Sequence, residues 1–340
     1  MTVNAEQPYN VPTFELVVAG RNITRTVNSR LIRLTLAESR GDEADQLDIE
    51  IDDSDGKMNL PAKGAKIALR LGWQGWNMVD KGEFVVDEVE HAGAPDRISI
   101  RARAADMKRE LRARAEHSYH DTTLDAIVRD VAQRNGLQAK VDPTLADIPV
   151  AHVDQTHESD LHFLTRLAKQ HDAVCTVKKG RLAFIPINSG TNAAGQALEG
   201  WTITRADGDQ HRYSSSTRDA FEGVKAYWSD RVNGRRKSVV AGKKDGSLKT
   251  LKETYASEQD ALAAARAERQ RLERGMATFE LALAVGRPEI TAQSPIKVTG
   301  WKEEIDGEDW LVKEVTHTLN DGNGWTSKAQ MERGGADTQK

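Results

Sequence analysis

The chain has 340 residues, of which 38% are hydrophobic and 29% charged, and a formal net charge of -4. That length is more than one core usually fills, so two or three domains are expected, and the mild acidity gives no global attraction to nucleic acid or an anionic membrane. One cysteine, Cys175, excludes an internal disulfide framework; no window reaches the roughly 18 apolar residues of a membrane span, and the first ten residues lack the pattern of a secretory signal, so the chain is expected to stay inside the cell that makes it.

Strand patterns fill the first hundred residues: TFELVV, LIRLTL, QLDIEID, KIALRLGW, EFVVDEVEH and RISIRARA alternate or run apolar between turn signals, as in a β-sandwich or barrel. The DDSDG run at 52–56 lacks the alternating oxygen ligands and the glutamate at the twelfth position of a calcium loop, and reads as a polar turn. Helix is expected from Ala104 through AADMKRELRARAEH, and again through TTLDAIVRDVAQRNGL. In the second helix Thr122 or Thr123 can cap, Leu124, Ile127, Val128 and Val131 form the apolar stripe, and Gly136 is the stop.

Residues 154–174, DQTHESDLHFLTRLAKQHDAV, place a glutamate beside His157, with His162 following, which invites comparison with a zinc peptidase helix. Such a helix needs its histidines four apart, on one face. His157 and His162 are five apart, which on a regular helix turns them about 140° away from each other. The stretch reads instead as an amphipathic helix over 159–171, capped by Ser159 or Asp160, with Leu161, Leu164, Leu167 and Ala168 at helical spacing. AVCTVKKGRLAFIP then reads as a hairpin that turns at KKG and buries Cys175 as a structural residue.

The small-residue run NSGTNAAGQALEG marks a boundary or a long surface loop. Strands resume in GWTITR, EGVKAYW, KSVVAG, ATFELALAV, PIKVTG, DWLVKEVTHTL and WTSKAQMER, interrupted by one helix over 257–275 that Ser257 caps and Gly275 stops. The two ends of the chain resemble each other. Aligning His91 with His317 places Val89 on Val315, Glu88 on Glu314, Val86 on Val312, Val85 on Leu311 and Phe84 on Trp310, with Gly-Trp pairs at 72/73 and 300/301 upstream. Two like domains per chain would let three chains present six like surfaces, which is the geometry of an adaptor between threefold and sixfold assemblies.

The NGL at 135–137, the IPV that follows it, and the run from Asp154 to Phe184 resemble the central signature of the late control protein D family of tailed phages; the likeness continues through AYWSD, the 257–275 helix and IDGEDWLVKEVTHTL. That family supplies baseplate hubs of contractile tails and is similar to the hub portion of type VI secretion spikes. The resemblance implies a mainly β chain with an α/β part: tube-like β-barrel domains at 1–105 and 188–340 flank a small central α/β domain at 106–187, and the 257–275 helix is inserted in the second barrel. It further implies a homotrimer in a pseudo-sixfold ring, with the tail tube protein on one face, the spike protein on the other and other baseplate proteins around it. Such a chain would be found in the bacterial host cytoplasm during assembly and then in the tail baseplate. No cofactor, metal or catalytic residue is implied.

A fused cell-wall hydrolase would need an acid pair in a cleft, and Glu303 with Asp306 is the kind of pair that 52 acidic residues produce by chance. The nucleophile elbow and the phosphate-binding P-loop are absent. Arg231, Arg235, Arg236, Lys237, Lys243, Lys244, Lys249 and Lys252 form a basic run around a hairpin. The run could meet phosphates, but it lacks interleaved aromatics, so an edge protected by charge or a rim facing an acidic partner is the preferred reading over a nucleic-acid partner. Arg235, Arg236, Lys237, Lys243 and Lys244, together with Trp76 in the GWQGWN turn, are the expected interface residues.

Overall fold

The computed structural model describes residues 11–334, except 42–43, 106–110, 112, 179, 192–195, 217–220, 231–232 and 322–323. Among the described residues no helix is long and apolar enough to cross a membrane.

The first unit holds β1 (Pro12–Val18), β2 (Arg21–Asn22), α1 (Thr24–Asn28), β3 (Leu31–Ser39), β4 (Gln46–Asp52), β5 (Lys66–Trp73), β6 (Val79–Ala92) and β7 (Arg97–Ala104). Alternation does the work here: in β4, Leu47, Ile49 and Ile51 point inward while the acidic residues between them do not. Inward residues of β1 and β3 to β7 meet in one core, so the sheet curls about it. Each fully buried Leu, Ile or Phe contributes about 1.5–3 kcal/mol before entropy is counted.

The central unit contains β8 (Arg114–Thr123), α2 (Leu124–Arg134), β9 (Gln138–Val141), α3 (Pro143–Ala146), β10 (Pro149–Ser159), α4 (Asp160–Gln170), β11 (Ala173–Lys178) and β12 (Arg181–Pro186). Thr123 caps α2 by accepting from the Ala126 N–H, Ser159 caps α4 by accepting from the His162 N–H, and Gly136 ends the α2 turn at φ +60°. The helix expected through AADMKRELRARAEH is corrected in its last part: Arg114 to His117 open β8, which pairs antiparallel with β10. A strand partner overrides the helical propensity of this Arg-, Ala- and Glu-rich run. Residues 106–110 and 112 of that expected helix lie outside the described residues. His157 and His162 do not share a helix at all, because His157 sits at an irregularity of β10 with φ +51°.

The last part contains β13 (Trp201–Thr204), β14 (Gly208–Ser215), β15 (Gly223–Asp230), β16 (Arg235–Gly242), β17 (Leu248–Tyr255), α5 (Glu258–Gly275), β18 (Ala277–Leu283), β19 (Pro295–Thr299), α6 (Glu303–Asp306), β20 (Asp309–Asn320) and β21 (Gly324–Arg333). It has two cores. Strands β15 to β17 make a separate sheet, against which α5 packs Ala261 and Ala265 onto Val224, Ala226 and Ala241. The other strands enclose Phe279, Leu281, Ile296, Trp310, Val312 and their neighbours.

The repeat is structural. The first unit runs β3-β4-β7-β6-β5-β1 and the last runs β14-β18-β21-β20-β19-β13. Every pair in both series is antiparallel except β13 with β19, which is parallel. The β6–β7 ladder breaks register between Val86 and Glu88, and the β20–β21 ladder breaks between Val312 and Glu314. The two irregularities fall at the same place in the His91–His317 alignment, and chance alternation would not position them there. Strand pairing closes neither sheet into a complete barrel among the described residues. Instead β20 pairs with β3, fusing both into one 13-stranded sheet.

Candidate assembly interface

The junction of the two β units is built on β20 and β3, and it buries charge. Lys81 Nζ on β6 lies 2.5 Å from Glu38 Oε2 on β3. His317 Nε2 on β20 lies 3.4 Å from the same oxygen, and His317 Nδ1 is 2.7 Å from Ser327 Oγ on β21. Glu38, Lys81, His317 and Ser327 are all buried. Burial pushes the Glu38 carboxyl upward, but the Lys81 ammonium and the His317 contact outweigh it and hold the group well below the ordinary carboxylate range. Burial, with Lys81 adding to it, lowers His317 and keeps its imidazole neutral. An apolar layer flanks this network: Leu319 and Trp325 of the last unit enter the core of the first, and Trp73 stacks on Trp325 with ring centroids 4.8 Å apart. A Cβ at Gly286 would come within 2.4 Å of the Trp325 ring, so only glycine lets the chain pass there.

A second buried cation anchors the central unit. Arg274, at the end of α5, holds Asp172 with both terminal nitrogens and Glu332 through Nε at 3.0 Å. Arg40 joins Glu332 at 2.7 Å. Lys178 of β11 reaches Asp45 of the first unit at 2.9 Å. Such contacts are strong only when every partner is present, so they fix one relative placement of the units.

Sequence reasoning selected none of these residues for this role. His317 was identified only as part of the repeat. Glu38 and Lys81 are 43 positions apart, and no local pattern links them.

The expected interface residues occupy two separate places. Trp76 lies in the turn between β5 and β6 and is 55% exposed. Val11 and Val285 are also exposed there: the Gln74 N–H donates to the Val11 carbonyl, and Trp73 Nε1 donates to the Gly286 carbonyl at 3.1 Å. The basic residues lie on and beside β16, on the small α5 sheet. Arg236 stacks 3.8 Å from the Tyr227 ring centroid. Lys237 pairs with Asp230 and Lys243 with Glu222, each at 2.7 Å. Lys249 pairs with Glu268. Arg235 and Lys244 are exposed, and Arg231 lies outside the described residues. Carboxylates thus neutralise several charges of the run internally, which weakens it as a phosphate-binding surface.

Catalytic and metal constellations fare no better. Asp306 accepts from the Gly300 and Trp301 N–H groups and so organises a turn, with Glu303 on the same short helix α6. Cys175 is buried. Among the described residues no group of three or more His, Cys, Asp or Glu is arranged to hold a metal ion.

Comparison with known proteins agrees with this architecture. The profile of a family described as phage tail baseplate hub (GPD) matches residues 47–323. The probable baseplate hub protein of Escherichia phage P2 is 40% identical over 94% of this chain and 93% of its own length. Among solved structures, the 43 kDa tail protein of prophage MuSo2 from Shewanella oneidensis superposes with a TM-score of 0.69 at 18% identity, covering 94% of this chain and 97% of its own. A type VI secretion system component of E. coli, described as structurally similar to bacteriophage T4 tail proteins, superposes with a TM-score of 0.58 at 15% identity, covering 89% of this chain and 73% of its own. At these identities the two structures speak to fold.

Proposed function

Because the chain belongs to the phage tail baseplate hub family, we propose that three copies form a pseudo-sixfold hub between the tail tube and the spike of a contractile tail. Its role is structural, as in its baseplate hub relatives, and not enzymatic. The observation that carries the finer reading is the repeat: two units with one strand order and one shared register break supply two similar surfaces per chain. Three such chains offer six, matching a sixfold tube on one face while keeping threefold symmetry for a spike on the other. The buried junction supports a rigid role, since a chain that transmits the force of tail contraction gains from β units that do not hinge.

In this reading the functional divisions of the chain are 1–105, 106–187 and 188–340. Trp76 and the cations on and beside β16, Arg235, Arg236, Lys237, Lys243 and Lys244, face other baseplate proteins. The protein assembles in the bacterial host cytoplasm before it enters the tail.

The test is the native mass of the purified chain, alone and mixed with the spike protein from the same tail cluster. A threefold mass in either sample is expected. A stable monomer in both would overturn the trimeric adaptor.

A further inference from the structure

Strands β8 and β10 of the central unit form a two-stranded sheet of their own. Tyr119 and Val153 oppose each other across it and pack on the core of that unit, so by alternation the adjacent pair, His120 opposite His152, takes the other face. His120 is exposed and His152 half-buried, and their Nδ1 atoms lie 3.0 Å apart. A chain of polar contacts fixes how the pair is presented. The Ser118 hydroxyl donates to Asp154 Oδ1 at 2.6 Å, and Asp154 Oδ2 is 3.0 Å from His152 Nε2. The serine contact holds the Asp154 carboxyl below its ordinary range, so at neutral pH it is ionised and only accepts. His152 therefore carries a proton on Nε2, and a neutral imidazole protonated there has its lone pair on Nδ1. Water can satisfy the Nε2–H of the exposed His120, and the same tautomer then directs a second lone pair to the same point.

We propose that His120 and His152 are the two protein ligands of a divalent transition-metal site that favours copper(II) or nickel(II), with Asp154 as the positioning residue behind His152 and water completing the coordination. The distance selects the metal. Bonds of about 2.0–2.1 Å to nitrogens 3.0 Å apart meet at about 95°. That is close to the right angle of tetragonal and octahedral sites, whereas the tetrahedral angle of zinc needs nitrogens about 3.3–3.4 Å apart. Imidazole nitrogen suits copper and nickel, and copper(II) stands highest in the order of divalent affinities. A carboxylate on the far nitrogen of a ligating histidine fixes its tautomer and raises its basicity, which is the part Asp154 takes here. The site has two protein ligands, so it is open and of moderate affinity, and it stands apart from the groups of three or more that are absent among the described residues.

The two ligands stand on different strands, 32 positions apart, so a bound ion ties β8 to β10 and is held by the folded ribbon alone. A two-stranded sheet is marginal by itself, and a ligand that binds only the folded form stabilises it. Two other histidines of this region supply the contrast: His157 has Glu116 at 3.1 Å and His162 has Glu158 at 2.7 Å, each a carboxylate in place of an opposing imidazole. The metal site does not rest on the adaptor reading given above.

The test is calorimetric titration of the untagged full chain with nickel(II) chloride at neutral pH in a buffer that does not chelate. The expected result is one saturable site per chain, lost in His120→Asn and again in His152→Asn, and retained in His157→Asn and His162→Asn. The metal-free variants should melt where the metal-free parent does, since the His120–His152 pair stands on the face turned away from the core. Saturating nickel(II) should raise the melting midpoint of the parent and leave that of His120→Asn and His152→Asn unmoved. Asp154→Asn is expected to keep the stoichiometry and weaken the affinity about tenfold; an unchanged affinity would remove its positioning role. No saturable binding by the parent, or binding that survives both His120→Asn and His152→Asn, would overturn the site. Zinc(II) binding tighter than nickel(II) would keep the ligands and overturn the choice of metal.

Discussion

At the residue scale, stability is concentrated where charge is buried. Glu38, Lys81 and His317 sit where water would otherwise solvate them, and each is tolerable only because the others are present. Lys81→Met leaves Glu38 buried without its main counter-charge and is expected to cost about 3–5 kcal/mol of unfolding free energy. Adding Glu38→Leu should restore most of that loss, because the pair itself is worth far less than either orphan costs. Urea unfolding of both variants distinguishes the two. The same network sets a pH dependence. Glu38 is depressed from 4.5, so its contribution is present above that value and is lost as pH falls through the folded one. His317 is depressed from 6.5, so the folded chain binds fewer protons than the unfolded chain just below that pH, and stability is lost as pH falls further. Asp45, which burial raises from 3.8 despite Lys178, acts in the opposite sense. The expected outcome is a lower urea midpoint at about pH 5 than at about pH 7.5, with His317→Gln flattening the portion just below 6.5. A midpoint independent of pH across that interval would refute the assignment.

At the element scale, strands with an apolar period of two were legible, and those whose faces meet on polar or shared surfaces were not. β4 and β5 announce themselves by alternation, but β17, LKTLKETY, is mostly polar and becomes a strand only by lying parallel to β15. β8 was read in part as helix because its sequence favours one, and β10 decides otherwise. Helix α4 is the opposite case. Its stripe of Leu161, Leu164, Leu167 and Ala168 is buried as the spacing requires, and Ser159 caps it. Ser159→Ala removes the acceptor for the His162 N–H and is expected to lower stability by about 1 kcal/mol, measured as a shift in the thermal midpoint. No shift would mean that water replaces the cap.

At the whole-molecule scale, the two β units are one fused sheet, and the threefold mass expected for the hub depends on that fusion: a loose tandem would present its surfaces at no fixed angle. The inward faces, the caps, the repeat and the family likeness are legible in the sequence, because these are carried by periodicity and by neighbours a few residues apart. That β20 crosses to β3, that Lys81 meets Glu38 and that Arg274 meets Asp172 is set by tertiary packing. Those contacts join residues from tens to hundreds of positions apart. Their partners are chosen by which strand edges remain unsatisfied once every local preference has been met, and no window of sequence contains that information.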